Sequence, residues 1–390
     1  MEPDGICGDI NINNVENDYL FPYLPEEFPD HPIPESYTLH KIHHIPLIPD
    51  IPDDFEFESE ADFLSNFDFS PDPYAPIQSF PRQPYNQSEP ILNFTEISEE
   101  DTKHTESSSA YFENLKTLRV IMKETRFLEF SAREAVLGPG ALSRVTKELK
   151  VLATSLPCEA GGSIFCSFIS SNLSLAEALI SGPNDTPYEH GLYLFSLQIP
   201  SEYPKSPPIV QILTTGNGMI RFNPNLYNNG YVCLSIINTW GGNPQERWNP
   251  TFSTLLQVLV SIQALVMDCK VVQKEPGFED YTENSQANKA YTWCVRYGNM
   301  AFAVLENLKN PPKAFVEVIQ KHFYMKKGQI LATLAKWLEE AKSADLDWNS
   351  AIVANHNRQT MTLFMEKGVY NVFEELYGQI REQLDCLDSV

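Results

Sequence analysis

The chain has 390 residues, with 52 Asp and Glu against 28 Lys and Arg. The imbalance is uneven: residues 1–108 hold 24 acids and 3 bases, while the rest is close to neutral. Neither part offers the basic face that nucleic acid or an anionic membrane requires, so neither is expected as a partner.

Residues 1–108 also contain 15 of the 29 prolines and no sustained periodicity, which predicts a disordered acidic tail. Within it, DFEFESEADFLSNFDFSPDPY (Asp54–Tyr74) interleaves acids with aromatics, a pattern suited to docking in a partner's groove or to no particular task. His40, His43 and His44 lack the Cys or acid partners of a metal site. The seven cysteines are scattered without a CxxC pair, so no disulfide framework and no metal or other cofactor is expected. The start, MEPDGICGDI, has no signal-peptide pattern, and the apolar run Leu255–Met267 is too short to span a bilayer. These features lead to an expected cytoplasmic location, with the nucleus also open.

Order is expected from about residue 109. Leu115, Leu118 and Met122, then Leu142, Val145, Leu149 and Leu152, recur at helical spacing. GPGALSRVTKELKVLATSLP reads as a helix opened by Gly and Pro and closed by Pro157, with Arg144 and Lys147 off its apolar stripe. SIFCSFIS, LAEALIS, GLYLFSLQIP and IVQIL then read as strands separated by turn residues, an antiparallel meander. Helices follow at FSTLLQVLVSIQALVM, from about Glu283 to Leu308, and from Ala314 to Ala341. Beyond them Leu363, Val369, Phe373, Leu376 and Ile380 suggest one more helical face. This order gives an α+β fold, a four-stranded antiparallel meander with helices to one side. The domain reading is 1–108 tail, 109–310 core, 311–345 helical extension and 346–390 helical tail of unassigned role.

RFNPNLYNNGYVCLSIINTW (Arg221–Trp240) places Cys233 after a run rich in Asn, Pro and Gly. A lone cysteine between apolar neighbours is ordinarily a packing residue. Five features in order argue otherwise: ALSRVTKEL, GPNDTPYEHG, the Tyr-Pro…Pro-Pro of FSLQIPSEYPKSPP, FNPN eight residues before Cys233, and Trp248-Asn249-Pro250. Together they resemble the ubiquitin-conjugating enzymes over roughly residues 139–310. FNPN in place of His-Pro-Asn, the loop NTWGGNPQERW, Glu275-Pro276-Gly277 and FVEVIQKHFYMKK are similar to the BRUCE-like subgroup, the conjugating domains of giant inhibitor-of-apoptosis proteins. No Cys/His cluster for the zinc module of those proteins is present, so an anti-apoptotic role is not carried over.

The resemblance implies the UBC fold and a cysteine acyltransferase. Cys233 would be the nucleophile, accepting ubiquitin as a thioester from an activating enzyme at a shallow, accessible groove and passing it to substrate lysines. It implies a role for Asn225 at the oxyanion or in loop support, and for Ser235 and Glu275 near the incoming lysine. Arg144 and Lys147 would fall on the activating-enzyme face of the first helix. Asn223, in the place of the family's histidine, would make similar local bonds. Ligases are further partners, but Lys205 stands where many members carry an apolar ligase-docking residue, which points to direct, ligase-like substrate recognition. A non-catalytic ubiquitin-binding scaffold and an interaction protein built around the acidic tail are the alternatives. A cysteine-protease reading would need His190 or His322 to meet Cys233.

Overall fold

The computed structural model describes residues 108–123, 135–348 and 350–387. The proposed acidic tail, its acidic-aromatic segment and its histidines lie outside the described residues. Residues 108–115 are helical, and a 3-10 turn at Lys116–Leu118 leads into β1 (Val120–Lys123). Met122 is therefore in a strand, which corrects the helical reading of Leu115, Leu118 and Met122.

α1 (Pro139–Ser155) begins with Pro at its first turn, where a missing N–H costs nothing. β2 (Cys158–Glu159), β3 (Gly162–Ile169), β4 (Asn172–Ser181), β5 (Leu192–Gln198) and β6 (Ile209–Ile212) follow. The four meander strands β3 to β6 pair antiparallel in sequence order, as expected. β1 adds in parallel beside β3, Val120 opposite Cys166, and makes the sheet mixed. β3 and β4 are buried along nearly their whole length, which explains their continuous apolar runs.

α2 (Leu255–Ser261) is started by a capping box between Thr254 and Gln257 and continues through a π-helical turn, Ile262–Val266. α3 (Gln286–Gly298) runs on through π-helical Asn299–Leu305 to Lys309. α4 (Val316–Lys342) buries Ile319, Phe323, Ile330, Leu334 and Trp337. α5 (Ala351–His356), α6 (Arg358–Lys367) and α7 (Val369–Asp385) complete the described chain. The single helical face expected here is broken at Gly368, whose φ of +80° suits glycine, and Phe364 rather than Leu363 is the buried apolar residue of α6. Trp348, Phe364 and Phe373 pack against one another, and Phe373 meets Trp293 of α3 edge-on at 5.0 Å. No described helix is long and apolar enough to cross a membrane. The described residues contain no cluster of His, Cys, Asp and Glu that could hold a metal.

Candidate active site

The segment after β6 folds back on itself instead of continuing the sheet. Gly230, at φ +92°, lets the chain turn close against β6, where the Ile212 N–H donates to its carbonyl at 2.9 Å. Asn223 is fully buried and holds the start of the loop. Its Oδ1 accepts from the backbone of Asn225 and Leu226 at 2.8 and 3.1 Å. Its Nδ2 donates to the Tyr188 hydroxyl and the Val266 carbonyl. Asparagine can make all four bonds because its amide carries both donors and acceptor.

Asn225 and Cys233 then face one another. The Cys233 N–H donates to the Asn225 carbonyl at 2.9 Å, and the Asn225 Nδ2 donates to the Cys233 carbonyl at 2.8 Å. The side chain of Asn225 is thus engaged in holding the cysteine's own backbone. After Cys233, a 3-10 turn (Ser235–Ile237) and Asn238 at φ +57° reverse the chain, and Thr239 closes the loop. The Thr239 hydroxyl donates to the Val232 carbonyl at 2.8 Å and accepts from Leu234 N–H at 2.9 Å. The Thr239 carbonyl receives both the Tyr231 hydroxyl at 3.0 Å and the Cys233 thiol at 3.4 Å.

Cys233 is 5% exposed, so the accessible thiol expected from the turn-rich approach is corrected to a buried one. Residues that fold back, Thr239 above all, enclose it. Burial pushes the thiol up to about 12; the Arg221 guanidinium opposes that shift and the Glu275 carboxylate adds to it. Glu275 lies 3.7 Å from Arg221, and its own carboxyl is raised by burial, with Arg221 opposing. Glu275 therefore stands in the electrostatic neighbourhood of the thiol. Ser235 is half-buried two residues beyond it, with its hydroxyl turned toward Gly242.

Arg144 is not a free surface cation. Its guanidinium donates to Glu148 at 2.6 Å and to the Ser253 carbonyl at 2.8 Å. Glu148 also accepts from Tyr203 and from the first amide of α2, joining α1, the Tyr203–Pro204 loop and α2. The Trp248 indole donates to the Pro204 carbonyl at 2.6 Å and ties the loop after Cys233 to the same frame. Lys147 is half-buried on α1, and Lys205 is exposed. The His190 and His322 rings are engaged elsewhere than at Cys233: the His190 Nε2 bonds the Thr333 hydroxyl at 2.9 Å, and the His322 Nε2 donates to the His190 carbonyl at 3.1 Å.

Sequence reasoning missed Arg221, His356 and Asn357. Arg221 donates to the carbonyls of Asn223 and Pro224 and stacks on Tyr227, 3.7 Å from the ring centroid. His356 and Asn357 meet it from the end of α5. The available signal was Ala-Asn-His-Asn-Arg, a helix-unfriendly run inside a helical stretch.

A family model described as ubiquitin-conjugating enzyme matches residues 144–296. The human dual E2 ubiquitin-conjugating enzyme/E3 ubiquitin-protein ligase BIRC6 is 41% identical over 217 residues, 55% of this chain and 4% of the relative. The probable ubiquitin-conjugating enzyme protein 17 of Caenorhabditis elegans is 42% identical over 203 residues, 51% of this chain and 28% of that protein. The probable ubiquitin-conjugating enzyme E2 R521 of Acanthamoeba polyphaga mimivirus is 39% identical over 212 residues, 54% of this chain and 15% of that protein. The match thus spans less than a third of each of these relatives. With the meander, the FNPN loop and the cysteine held across from Asn225, residues 144–296 are a ubiquitin-conjugating enzyme domain.

Proposed function

We propose that the chain accepts ubiquitin on Cys233 from an activating enzyme and transfers it to substrate lysines. The observation that carries this reading is the reciprocal bonding of Cys233 and Asn225 within the matched domain. In the first step the Cys233 thiolate attacks the thioester carbonyl at the ubiquitin C-terminus. A new S–C bond forms as the activating enzyme's thiolate leaves. In the second a lysine amine attacks that carbonyl, the Cys233 thiolate leaves, and the amine loses its proton.

Asn225 fixes the cysteine backbone and acts chiefly in the transfer step, where its amide can leave the Cys233 carbonyl for the oxyanion. A thiol at about 12 holds very little thiolate at neutral pH, and its acceptor, the Thr239 carbonyl, is no base. Loading requires the thiol to give up its bond to the Thr239 carbonyl. In this reading Glu275, beside Arg221, and Ser235 meet the incoming lysine. Lys147 remains a proposed contact for the activating enzyme; Arg144 acts on that face by bracing α1 against α2.

Ligase-like recognition of substrates is part of the reading. Lys205 stands exposed where an apolar side chain would dock a ligase, and burying its ammonium carries a desolvation cost. The human and mouse BIRC6 relatives carry both E2 and E3 in their names. A reducing compartment, cytoplasm or nucleus, keeps a free thiol available for this chemistry.

Incubation with activating enzyme, ATP and ubiquitin, followed by non-reducing electrophoresis, tests the proposal. The parent chain forms an adduct that reductant removes, Cys233→Ala forms none, and Cys233→Ser forms at most a reductant-resistant oxyester. A reductant-sensitive adduct on Cys233→Ala would falsify the assignment.

A further inference from the structure

Arg221 immediately precedes FNPN, yet two of its close partners lie 135 and 136 residues further along the chain. The Asn357 side chain grips both backbone groups of Arg221: Oδ1 accepts from its N–H at 2.8 Å and Nδ2 donates to its carbonyl at 3.0 Å. This is the pairing a neighbouring strand would give, supplied by one amide. Asn357 is fully buried and sits at the break between α5 and α6, with φ −133° and ψ 41°.

His356 completes the contact. Arg221 Nη1 can only donate, so His356 Nε2 accepts from it at 2.8 Å. The imidazole is then neutral, with its proton on Nδ1, facing the Tyr291 hydroxyl at 3.2 Å. That hydroxyl donates onward to the Arg221 carbonyl at 3.0 Å. The circuit fixes every donor and acceptor in it. The rest of the guanidinium is spent on the active-site loop, with Nη2 on the Pro224 carbonyl at 2.7 Å and Nε on that of Asn223 at 3.3 Å.

We propose that His356 and Asn357 are positioning residues: the α5–α6 junction clasps Arg221, and through it the helical tail holds the Asn223–Asn225 loop and Cys233 in register for acyl transfer. Attachment of the tail does not by itself call for this arrangement. Packing of Phe364 and Phe373 against Tyr297 and Trp293 of α3, with Trp348 on Phe364, already provides adhesion. Burying a guanidinium in polar contacts adds little net stability but fixes geometry, since the planar fork accepts few arrangements. Released from the clasp, a long arginine regains its rotamers, and the Asn223 and Pro224 carbonyls lose their shared donor. The held Arg221 also keeps its charge in the neighbourhood of the Cys233 thiol, where it opposes the effect of burial.

The inference rests on the acyl-transfer reading for its consequence, and the test separates the two. Preloaded full-length enzyme is discharged to free lysine in single turnovers over a range of lysine concentrations. His356→Ala and Asn357→Ala are expected to lower the saturating rate by about tenfold or more, with the half-saturating lysine unchanged. His356→Gln, whose carbonyl can still accept from Arg221, retains most of the rate, while His356→Lys, which can only donate, does not. Leu384→Ala loosens the same tail from its buried α7 face and lowers the melting temperature without slowing discharge. Hydrogen exchange in residues 221–233 reads the clasp without any transfer: it quickens in His356→Ala and not in Leu384→Ala. Equal discharge and equal exchange in His356→Ala and parent overturn the clasp. So does a loss in Leu384→Ala that matches His356→Ala at the same melting temperature. A parent chain that never loads overturns the acyl-transfer reading instead, and the exchange comparison then still decides the clasp.

Discussion

Two contacts made by helices beyond the matched domain use the same chemistry and reach different places. On α4, His322 donates to the His190 carbonyl and faces the Tyr111 hydroxyl at 2.7 Å, while the buried Lys326 ammonium donates to the Ala160 carbonyl at 2.6 Å. On the α5–α6 junction, His356 and Asn357 hold Arg221. Each buries a neutral imidazole beside a polar side chain, Lys326 or Asn357, that bonds backbone groups. The first ends on turns beside β3 and β5; the second ends on the loop that carries Cys233. What a buried polar contact contributes is thus set by the backbone it grips, not by the residues that make it.

Asn225→Ala gives the largest expected effect that separates the two regions. It frees the Cys233 carbonyl, so discharge to lysine falls by about a hundredfold, in the range seen for losing a preorganised donor, while loading stays within about twofold. Equal discharge rates for variant and parent would take Asn225 out of the site. His322→Ala sharpens the contrast from the other region. It leaves buried polar partners unmet and costs roughly 2–3 kcal/mol, seen as a fall in melting temperature, with discharge unchanged. A slowed discharge there would erase the distinction between the two contacts.

Acid gives the gentlest probe. Burial lowers His190 to about 2 and His322 to about 3, and burial with Arg221 nearby lowers His356 to about 4, against 6.5 when unfolded. All three are neutral in the fold, so their contribution is complete above pH 6.5 and is lost as pH falls below it. The slope is roughly 1.4 kcal/mol per pH unit for each fully buried histidine. His356 protonates first, so exchange protection in residues 221–233 declines before that of β3. Protection lost in the reverse order, or a melting temperature flat from pH 6.5 to 4.5, contradicts the assignment of neutral histidines.

The meander was legible because SIFCSFIS and GLYLFSLQ crowd β-branched and aromatic residues between turn formers, and β3 and β5 fall on them within a residue or two. β1 was not legible. Val120–Lys123 is short, and its strand state comes from a parallel neighbour more than forty residues away, Cys166–Ile169, which local spacing cannot report. The place of Cys233 was readable from its distance to FNPN, but its burial was not, since Thr239 and Tyr231 close over it through a turn governed by Asn238 at positive φ. His356 and Asn357 were hidden for a similar reason. Their meaning depends on Arg221, which only the tertiary fold brings to them.

In the proposed reaction the buried thiol of Cys233, not a more accessible one, carries the acyl group. Cys386 is exposed and Cys269 partly so, and either would be the easier target for adventitious acylation. Peptide mapping by mass spectrometry of the non-reduced ubiquitin adduct therefore distinguishes the three thiols. The ubiquitin C-terminal glycine is expected on the peptide containing Cys233, released by reductant. Recovery on Cys269 or Cys386, with Cys233 unmodified, would contradict that placement.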